Sequence, residues 1–171
     1  MKKLILLGLT VILFASCQQT EQRYFDESDE IETVKQLFKL SVDGKFDEVR
    51  AFYNDTAKIF INSTKGISPD ESTAEDKKSR EGFSMFTLKD SIYAEMVITK
   101  SGNTWVNTWP TWVGKVKGND EEITLPFQAS FQFKDGKIVR EESFYNALPI
   151  YLAMEKAKAD KAEAEMESSE E

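Results

Sequence analysis

The spacing of apolar residues changes along the chain and predicts helices first and strands afterwards. Between residues 29 and 42 the apolar residues recur every three or four positions, as in an amphipathic helix. A second short helix follows Gly44 and is predicted to end near Tyr53, in the sequence YND. Residues 57–62 form a short apolar run, which predicts a strand.

The sequence SPDE at 68–71 predicts the start of a third helix. Ser68 suits the N-cap, Pro69 the first helical position, and Glu71 completes a capping box three residues after Ser68. We extend this helix over residues 69–86 and expect solvated first turns, because only its end is clearly apolar. A mobile loop over residues 63–75 is the alternative.

From residue 90 the pattern alternates, which predicts four consecutive strands. The clearest strand covers 123–133, where every odd position is apolar: Ile123, Leu125, Phe127, Ala129, Phe131 and Phe133. KGND at 117–120 and KDGK at 134–137 read as tight turns between antiparallel strands. We therefore predict the α+β class, with an antiparallel sheet covered by the first helices. After residue 155 no apolar stripe remains, so the C-terminus is expected to be a solvated helix.

All three tryptophans lie within residues 103–116, at positions 105, 109 and 112. Trp105 and Trp109 share a face of a regular strand, whereas Trp112 takes the other. A bulge at Pro110 would return Trp112 to the first face. Core packing, a ligand pocket and an outer-face interface are the competing roles, and the interface suits Trp112 best.

The apolar row of residues 123–133 must face the helices, so the neighbouring strand must turn one face the same way. We assign Trp105 and Trp109 to that inward face. Phe127 and Phe131 are then predicted to share a pocket wall with them, and Tyr53 to close it.

The first seventeen residues, MKKLILLGLTVILFASC, have the pattern of an exported protein. Two lysines precede an apolar run and then small residues, as in a signal peptide. LFASC resembles a bacterial lipobox, although Phe14 stands where leucine is usual. The resemblance implies that Cys17, the only cysteine, is acylated and holds the protein to a membrane of the cell envelope, with the periplasmic side favoured. A chance cysteine is the alternative.

Composition excludes several kinds of chemistry. The chain has 30 acidic and 22 basic residues and a formal net charge of −8, which disfavours nucleic-acid binding. It has no histidine, so neither a serine–histidine nucleophile nor a histidine-rich zinc site can form. Glycine-rich phosphate loops are also absent from the sequence. We therefore predict no cofactor and no metal.

A lone carboxylate base remains open, because an apolar pocket can raise a glutamate pKa towards neutrality. The candidates are Glu142 and Glu95. Glu142 shares a face with Arg140 on a regular strand, so the two form either a surface ion pair or a charged pair at a pocket mouth.

Three segments together resemble the SnoaL-like members of the nuclear-transport-factor-2-like superfamily: FYNDTAKIFI after the second helix, WVGKVKG, and FQFKDGKIVREESFYN. The last segment ends in FYN where such proteins often have a YYD-like ending. The resemblance covers about residues 28–150. It implies a cone-shaped fold, in which a curved antiparallel sheet wraps around the N-terminal helices and leaves a conical pocket, and frequent dimers through the outer face of the sheet. Family enzymes often use an Asp or an Asp–His pair, of which the histidine cannot exist here.

We divide the chain into a lipoprotein signal peptide (1–16), a tether (17–28), a SnoaL-like domain (29–150) and an acidic C-terminal helix or tail (151–171). The expected function is a lipid-anchored, non-catalytic binding module that holds a small apolar or amphipathic ligand in an aromatic cone, in a monomer or homodimer. An isomerase- or cyclase-type enzyme with a lone Glu base and a structural partner of an envelope complex are the alternatives.

Overall fold

A computed structural model describes residues 21–89 and 91–169, so the signal peptide, the lipobox and Cys17 lie outside the described residues. The helices are α1 (Asp29–Val42), α2 (Phe46–Arg50), α3 (Pro69–Arg80) and α4 (Leu148–Glu167). The strands are β1 (Tyr24–Phe25), β2 (Tyr53–Ile61), β3 (Phe83–Lys89), β4 (Ala94–Ile98), β5 (Thr104–Thr108), β6 (Thr111–Val116), β7 (Ile123–Lys134) and β8 (Lys137–Tyr145).

The strands form one sheet in the order β1-β4-β5-β7-β6-β3, and β8 joins β7 to β2. Every pairing is antiparallel except that of β2 with β8, which is parallel. β5 and β6 follow one another along β7 without a change of register, since Thr108 lies opposite Ala129 and Thr111 opposite Pro126. The predicted α+β class with an antiparallel sheet is confirmed.

Helix α1 packs its apolar stripe on the inner face of the sheet, as its spacing predicts. Ile31 and Val34 are fully buried, and the Phe38 ring lies edge-on to the rings of Phe127 (5.8 Å) and Phe131 (5.9 Å). Burial of a side chain of this size contributes about 1.5–3 kcal/mol, so this layer is a principal source of stability. The odd face of β7 faces the helices, as predicted, with Ala129, Phe131 and Phe133 buried.

Helix α3 begins as predicted but ends earlier. The amide of Glu71 donates to Ser68 Oγ (3.2 Å) and the amide of Ser68 donates to Glu71 Oε2 (2.7 Å), which is the expected capping box. The prediction of a helix up to residue 86 is wrong, because the chain turns at Gly82 and Phe83–Lys89 pairs with β6. The apolar residues at 83–88 are therefore sheet residues, and their pairing satisfies the backbone that a longer helix would have satisfied internally.

Both ends of the described chain are more structured than their polar composition suggests. Tyr24 and Phe25, within the segment interpreted as a tether, pair with β4. In α4, Ala153 is buried, and Ile150, Met154 and Ala157 pack on a second apolar cluster around Phe83, Trp112 and Leu125. The part of α4 beyond Ala157 is exposed, so the expected solvated helix begins about there.

We expect Gly114→Ala to destabilise the fold, because a Cβ at this position would lie 2.0 Å from Trp112 Cζ2 and 2.8 Å from the Met85 carbonyl oxygen. Overpacking of this kind typically costs about 1–3 kcal/mol, which urea unfolding would measure. In a Trp112→Phe background the smaller ring should reduce the cost of Gly114→Ala. Equal costs in both backgrounds would show that the indole does not require the glycine.

Candidate functional site

The three tryptophans are divided between the two faces of the strand formed by β5 and β6, and the division is the reverse of the predicted one. Trp112 is 6% exposed on the inner face, whereas Trp109 is 47% exposed on the outer face and packs against Tyr93 at 5.6 Å. The predicted inward orientation of Trp105 and Trp109 is wrong, because the buried residues of β5 are Val106 and Thr108. No bulge forms at Pro110 to change the faces, since the register along β7 is unbroken.

The outer face of the sheet thus presents Trp109 and Tyr93 to solvent. Exposed apolar surface of this kind is what a dimer through this face would cover. The homodimer remains a prediction.

A cavity of about 260 Å³ lies between the helices and the inner face of the sheet. Its walls are mainly apolar, and the aromatic residues among them are Phe38, Phe46, Tyr53, Phe83, Phe86, Trp112, Phe127 and Tyr145. Most polar side chains come from one region of the lining, where α3, β2 and β8 meet: Tyr53, Ser72, Thr73, Asp76, Ser79, Glu141, Ser143 and Tyr145. Ser41 on α1 is a further polar lining residue. An apolar cavity with a few convergent polar groups is the usual form of a small-molecule site.

A β-bulge in β8 decides which side chains of that strand reach the cavity. Ile138 lies opposite Phe133 on β7, but Arg140 lies opposite Gln132, so Val139 is an extra residue on β8. Beyond the bulge the faces are exchanged relative to regular alternation. Glu141, Ser143 and Tyr145 therefore line the cavity, while the even positions face outward.

Glu142 and Glu95, the two predicted candidates for a base, do not line the cavity. Arg140 binds Glu142 at 2.6 Å, and its guanidinium lies 4.1 Å from the centroid of the Phe60 ring. Of the two interpretations of this pair, the surface ion pair is the one that forms. Glu95 lies on β4 between the buried residues Ala94 and Met96, on the opposite face from theirs.

Glu141 is held in the cavity wall by two hydroxyl groups. The Tyr53 hydroxyl donates to Glu141 Oε2, and Ser143 Oγ donates to Glu141 Oε1 at 2.7 Å. Burial raises the pKa of Glu141, while the two hydrogen bonds oppose that rise because they favour the carboxylate. Burial and the negative charge of Glu141 also raise the pKa of Tyr53 well above its ordinary value, so the tyrosine remains a hydrogen-bond donor.

Asp76 brings a second carboxyl group to the same cavity from helix α3. Its pKa is raised to about 7, first by burial and then by the charges of Glu141 and Glu75, against a hydrogen bond from Ser72 that lowers it. The helical spacing places one stripe of α3 along the cavity: Pro69, Ser72, Thr73, Asp76 and Ser79. Because two nearby carboxylates disfavour each other's charge, the charge of Glu141 favours the protonated form of Asp76 near neutral pH. We call Asp76 and Glu141 the carboxyl pair.

A carboxyl group that titrates near neutrality can both take up and return a proton, as general acid–base chemistry requires. Two further groups could hydrogen-bond to a molecule in the cavity. The Tyr145 hydroxyl forms no hydrogen bond within the described chain, and burial and the charge of Asp76 raise its pKa. Trp112 Nε1 is buried and likewise has no partner among the described residues. Within residues 21–89 and 91–169 no cluster of three potential metal ligands occurs.

Of the pocket residues predicted from the sequence, Tyr53 and Phe127 line the cavity. Phe131 is fully buried in the core against Phe38 and does not reach the cavity, while Trp105 lies on the opposite face. Asp76, Glu141, Tyr145 and Trp112 line the cavity without having been predicted to do so. The capping box offered a signal for Asp76, because it fixes the start of α3 and hence the face on which position 76 lies.

Comparisons with solved structures show the fold. An NTF2-like protein of unknown function from Burkholderia pseudomallei has a TM-score of 0.59 at 14% identity, over 74% of this chain and 98% of that one. A protein from Jannaschia sp. CCS1 described as a SnoaL-like polyketide cyclase has a TM-score of 0.55 at 20% identity (75% and 96% covered). An epoxide hydrolase of the LEH-like type from M. tuberculosis has 0.55 at 14% (77% and 93%). The predicted cone-shaped, nuclear-transport-factor-2-like fold is confirmed.

No family model matches the sequence. No curated protein sequence matches it either. Because the three solved structures named above share at most 20% identity with this chain, they carry the fold and leave the activity to be argued from the cavity.

The raised pKa of Asp76 predicts how stability depends on pH. Between about pH 4 and pH 7 the native state keeps a proton that the unfolded chain has released, so the free energy of unfolding should fall as pH rises through this window. Each pKa unit corresponds to about 1.4 kcal/mol, which gives an upper limit of ~4 kcal/mol for Asp76. Asp76→Asn should therefore stabilise the protein at pH 8 more than at pH 5, as measured by urea unfolding.

Asp160→Asn, which changes an exposed carboxyl on α4, is the matched control and should leave the pH dependence unchanged. An Asp76→Asn variant with the same pH dependence as the wild type would contradict the buried, protonated Asp76.

Proposed function

We propose that the protein is a proton-transfer enzyme of the isomerase or cyclase type, acting on a small amphipathic molecule held in the cavity. One observation carries this proposal: two carboxyl groups, Asp76 and Glu141, line the same apolar cavity, and the pKa of Asp76 is about 7. The expected lone Glu base thus becomes a carboxyl pair. The similarity to isomerase, cyclase and hydrolase folds is consistent with an enzyme.

Asp76 and Tyr145 have separate roles in such a proton transfer. Asp76, in its ionised form, takes a proton from a carbon next to a carbonyl group of the substrate, and the C–H electron pair moves to form an enolate. The enolate oxygen accepts a hydrogen bond from the Tyr145 hydroxyl. Protonated Asp76 then returns the proton to a different carbon, which regenerates the carboxylate and leaves an isomer.

Glu141 acts on this cycle through charge. Tyr53 and Ser143 hold it by hydrogen bonds, and its negative charge raises the pKa of Asp76. The apolar walls exclude water from the reacting atoms and so strengthen these electrostatic effects.

Exchange of deuterium into a carbonyl probe tests the proposal without knowledge of the natural substrate. With β-tetralone in deuterated buffer, the wild-type protein should accelerate loss of the α-proton NMR signal, with a rate that rises with pH through about 7 as Asp76 ionises. Asp76→Asn should reduce the protein-dependent rate by about 10²- to 10⁴-fold, the usual contribution of a general base.

Glu141→Gln should shift the pH profile to lower pH, because it removes a negative charge close to Asp76. Glu142→Gln on the outer face is its matched control and should change nothing. The enzymatic proposal fails if wild type and Asp76→Asn exchange the probe at the same rate over the whole pH range.

A non-catalytic binding module is the second candidate. The aromatic walls of the cavity favour it, because they could hold an apolar body without any chemistry. Saturable binding of β-tetralone with no acceleration of exchange would favour this candidate over the enzyme.

We also propose that the domain is held to a membrane of the cell envelope by acylated Cys17, with the periplasmic side favoured. The signal-peptide pattern and the lipobox-like LFASC support this. No helix in the described residues is long and apolar enough to cross a membrane. Several acyl chains would provide stable anchoring, since each buried methylene contributes ~0.8 kcal/mol.

Cys17→Ser, expressed in a bacterial host with lipoprotein processing, should move the protein from the membrane fraction to the soluble fraction. Mass spectrometry should find acyl chains on the wild-type protein alone. If the wild type carries no acyl chains and both forms fractionate alike, the anchor does not exist.

A further inference from the structure

The cavity contains acidic groups and no basic ones. The ionisable side chains among its lining residues are Tyr53, Asp76, Glu141 and Tyr145. Arg80, one turn beyond Asp76 on α3, is engaged elsewhere: it donates to the Phe83 carbonyl oxygen at 3.2 Å and lies 5.5 Å from the centroid of the Phe86 ring. The carboxyl pair therefore faces the cavity without a cationic partner from the lining residues.

The ionisable groups that interact with Asp76 are all acidic. Glu141 and Tyr145 face it from β8 and Tyr53 from β2, while Glu75 lies beside it on α3. None of them can supply a positive charge, and Ser72 offers a single hydrogen bond. A positive charge in the cavity would thus offset the burial and the repulsion that together favour protonated Asp76.

The aromatic lining would also favour a cation. Phe83 and Phe86 pack edge-on to Trp112 at 5.2 and 5.4 Å, and Phe38 and Phe127 lie on the wall formed by α1 and β7. Faces of aromatic rings attract an ammonium group, most strongly when the group is desolvated. Neutral apolar molecules would gain burial from the same walls but would leave the carboxyl pair without a cationic partner.

Trp112 gives a second, independent indication of a ligand. Its side chain lines the cavity, the residue is 6% exposed, and its indole N–H has no acceptor in the described part of the chain. A buried donor without a partner lowers stability, because it has lost its hydrogen bond to water. An oxygen atom on the ligand would satisfy it.

We propose that the cavity takes an amphipathic amine, with its ammonium group at Asp76 and Glu141, its apolar body against the phenylalanines, and a hydroxyl oxygen at Trp112 Nε1. This names the substrate class of the proposed function and rests on the same site. The ammonium group favours the ionised form of Asp76 when it binds, so binding of the substrate generates the carboxylate base. The proton that Asp76 loses is released to solvent.

Four compounds of similar size separate charge from shape: phenethylamine, phenethyl alcohol, hydrocinnamate and phenylethanolamine. Titration calorimetry on the wild-type protein should give phenethylamine at least about tenfold tighter binding than phenethyl alcohol, with hydrocinnamate weakest. Phenylethanolamine should exceed phenethylamine, and Trp112→Phe should remove that advantage.

Asp76→Asn and Glu141→Gln should each reduce the preference for amine over alcohol by about tenfold, whereas Glu142→Gln should not. Near pH 7, calorimetry in two buffers of different ionisation enthalpy should detect proton release when phenethylamine binds the wild type and none when it binds Asp76→Asn. Glu142→Gln also controls for general attraction of amines to the acidic protein surface, because replacing any of the three carboxyls would weaken that attraction.

Equal affinity for phenethylamine and phenethyl alcohol, a preference for amine that survives Asp76→Asn, or no binding of any amine would each overturn the proposal. The exchange of β-tetralone is independent of these results. Exchange without amine preference leaves an enzyme for neutral substrates, and amine preference without exchange leaves an amine-binding module.

Discussion

The site depends on one extra residue in a strand. Between the positions opposite Gln132 and Phe133, β8 contains Val139 in addition to the residues that pairing requires. That bulge lets Ile138 fill the core and still turns Glu141, Ser143 and Tyr145 towards the cavity three, five and seven positions later. Without it, regular alternation from Ile138 would direct Arg140 and Glu142 inward and leave the cavity with a neutralised ion pair. The bulge therefore decides that the cavity is acidic.

Around that strand, the structure keeps the carboxyl pair in place from three directions. The Tyr53 hydroxyl from β2 and the Ser143 hydroxyl from β8 hold Glu141 as an acceptor. Helix α3, whose start is fixed by the Ser68–Glu71 capping box, holds Asp76 on its inward face. Burying two carboxyl groups in one cavity lowers stability at neutral pH. Strongly perturbed pKa values are usually found at catalytic and binding sites. The stability that this pair removes therefore indicates a site for chemistry or recognition.

The sequence pattern was sufficient for regular elements and failed where regularity ended. The alternation over residues 123–133 correctly placed Ala129, Phe131 and Phe133 on the inner face, because β7 keeps period two over that range. For Trp105 and Trp109 the pattern allowed either face, and aromatic area was the wrong criterion. Val106, Thr108 and Trp112 fill the inner face instead.

The inward position of Asp76 could be predicted from the sequence, whereas that of Glu141 could not. A bulge at Val139 leaves no mark in the order of apolar and polar residues, so the inward position of Glu141 could not be read from alternation. The inward position of Asp76 could have been, because the helix start was predicted correctly and residues 69, 72, 73 and 76 follow at helical spacing. The sequence analysis does not predict the inward position of Asp76, because that stripe is polar and a polar helical stripe predicts a solvated face.

The central claim is that burial and the charge of Glu141 raise the pKa of Asp76 in the cavity to about 7. Carboxyl carbon NMR on aspartate- and glutamate-labelled protein measures it directly, with Asp76→Asn and Glu141→Gln to assign the signals. The account predicts that the Asp76 signal titrates at about pH 7, and at a lower pH when Glu141 is replaced by Gln. An Asp76 signal that titrates near pH 4, the ordinary value for aspartate, and does not respond to Glu141→Gln would contradict it.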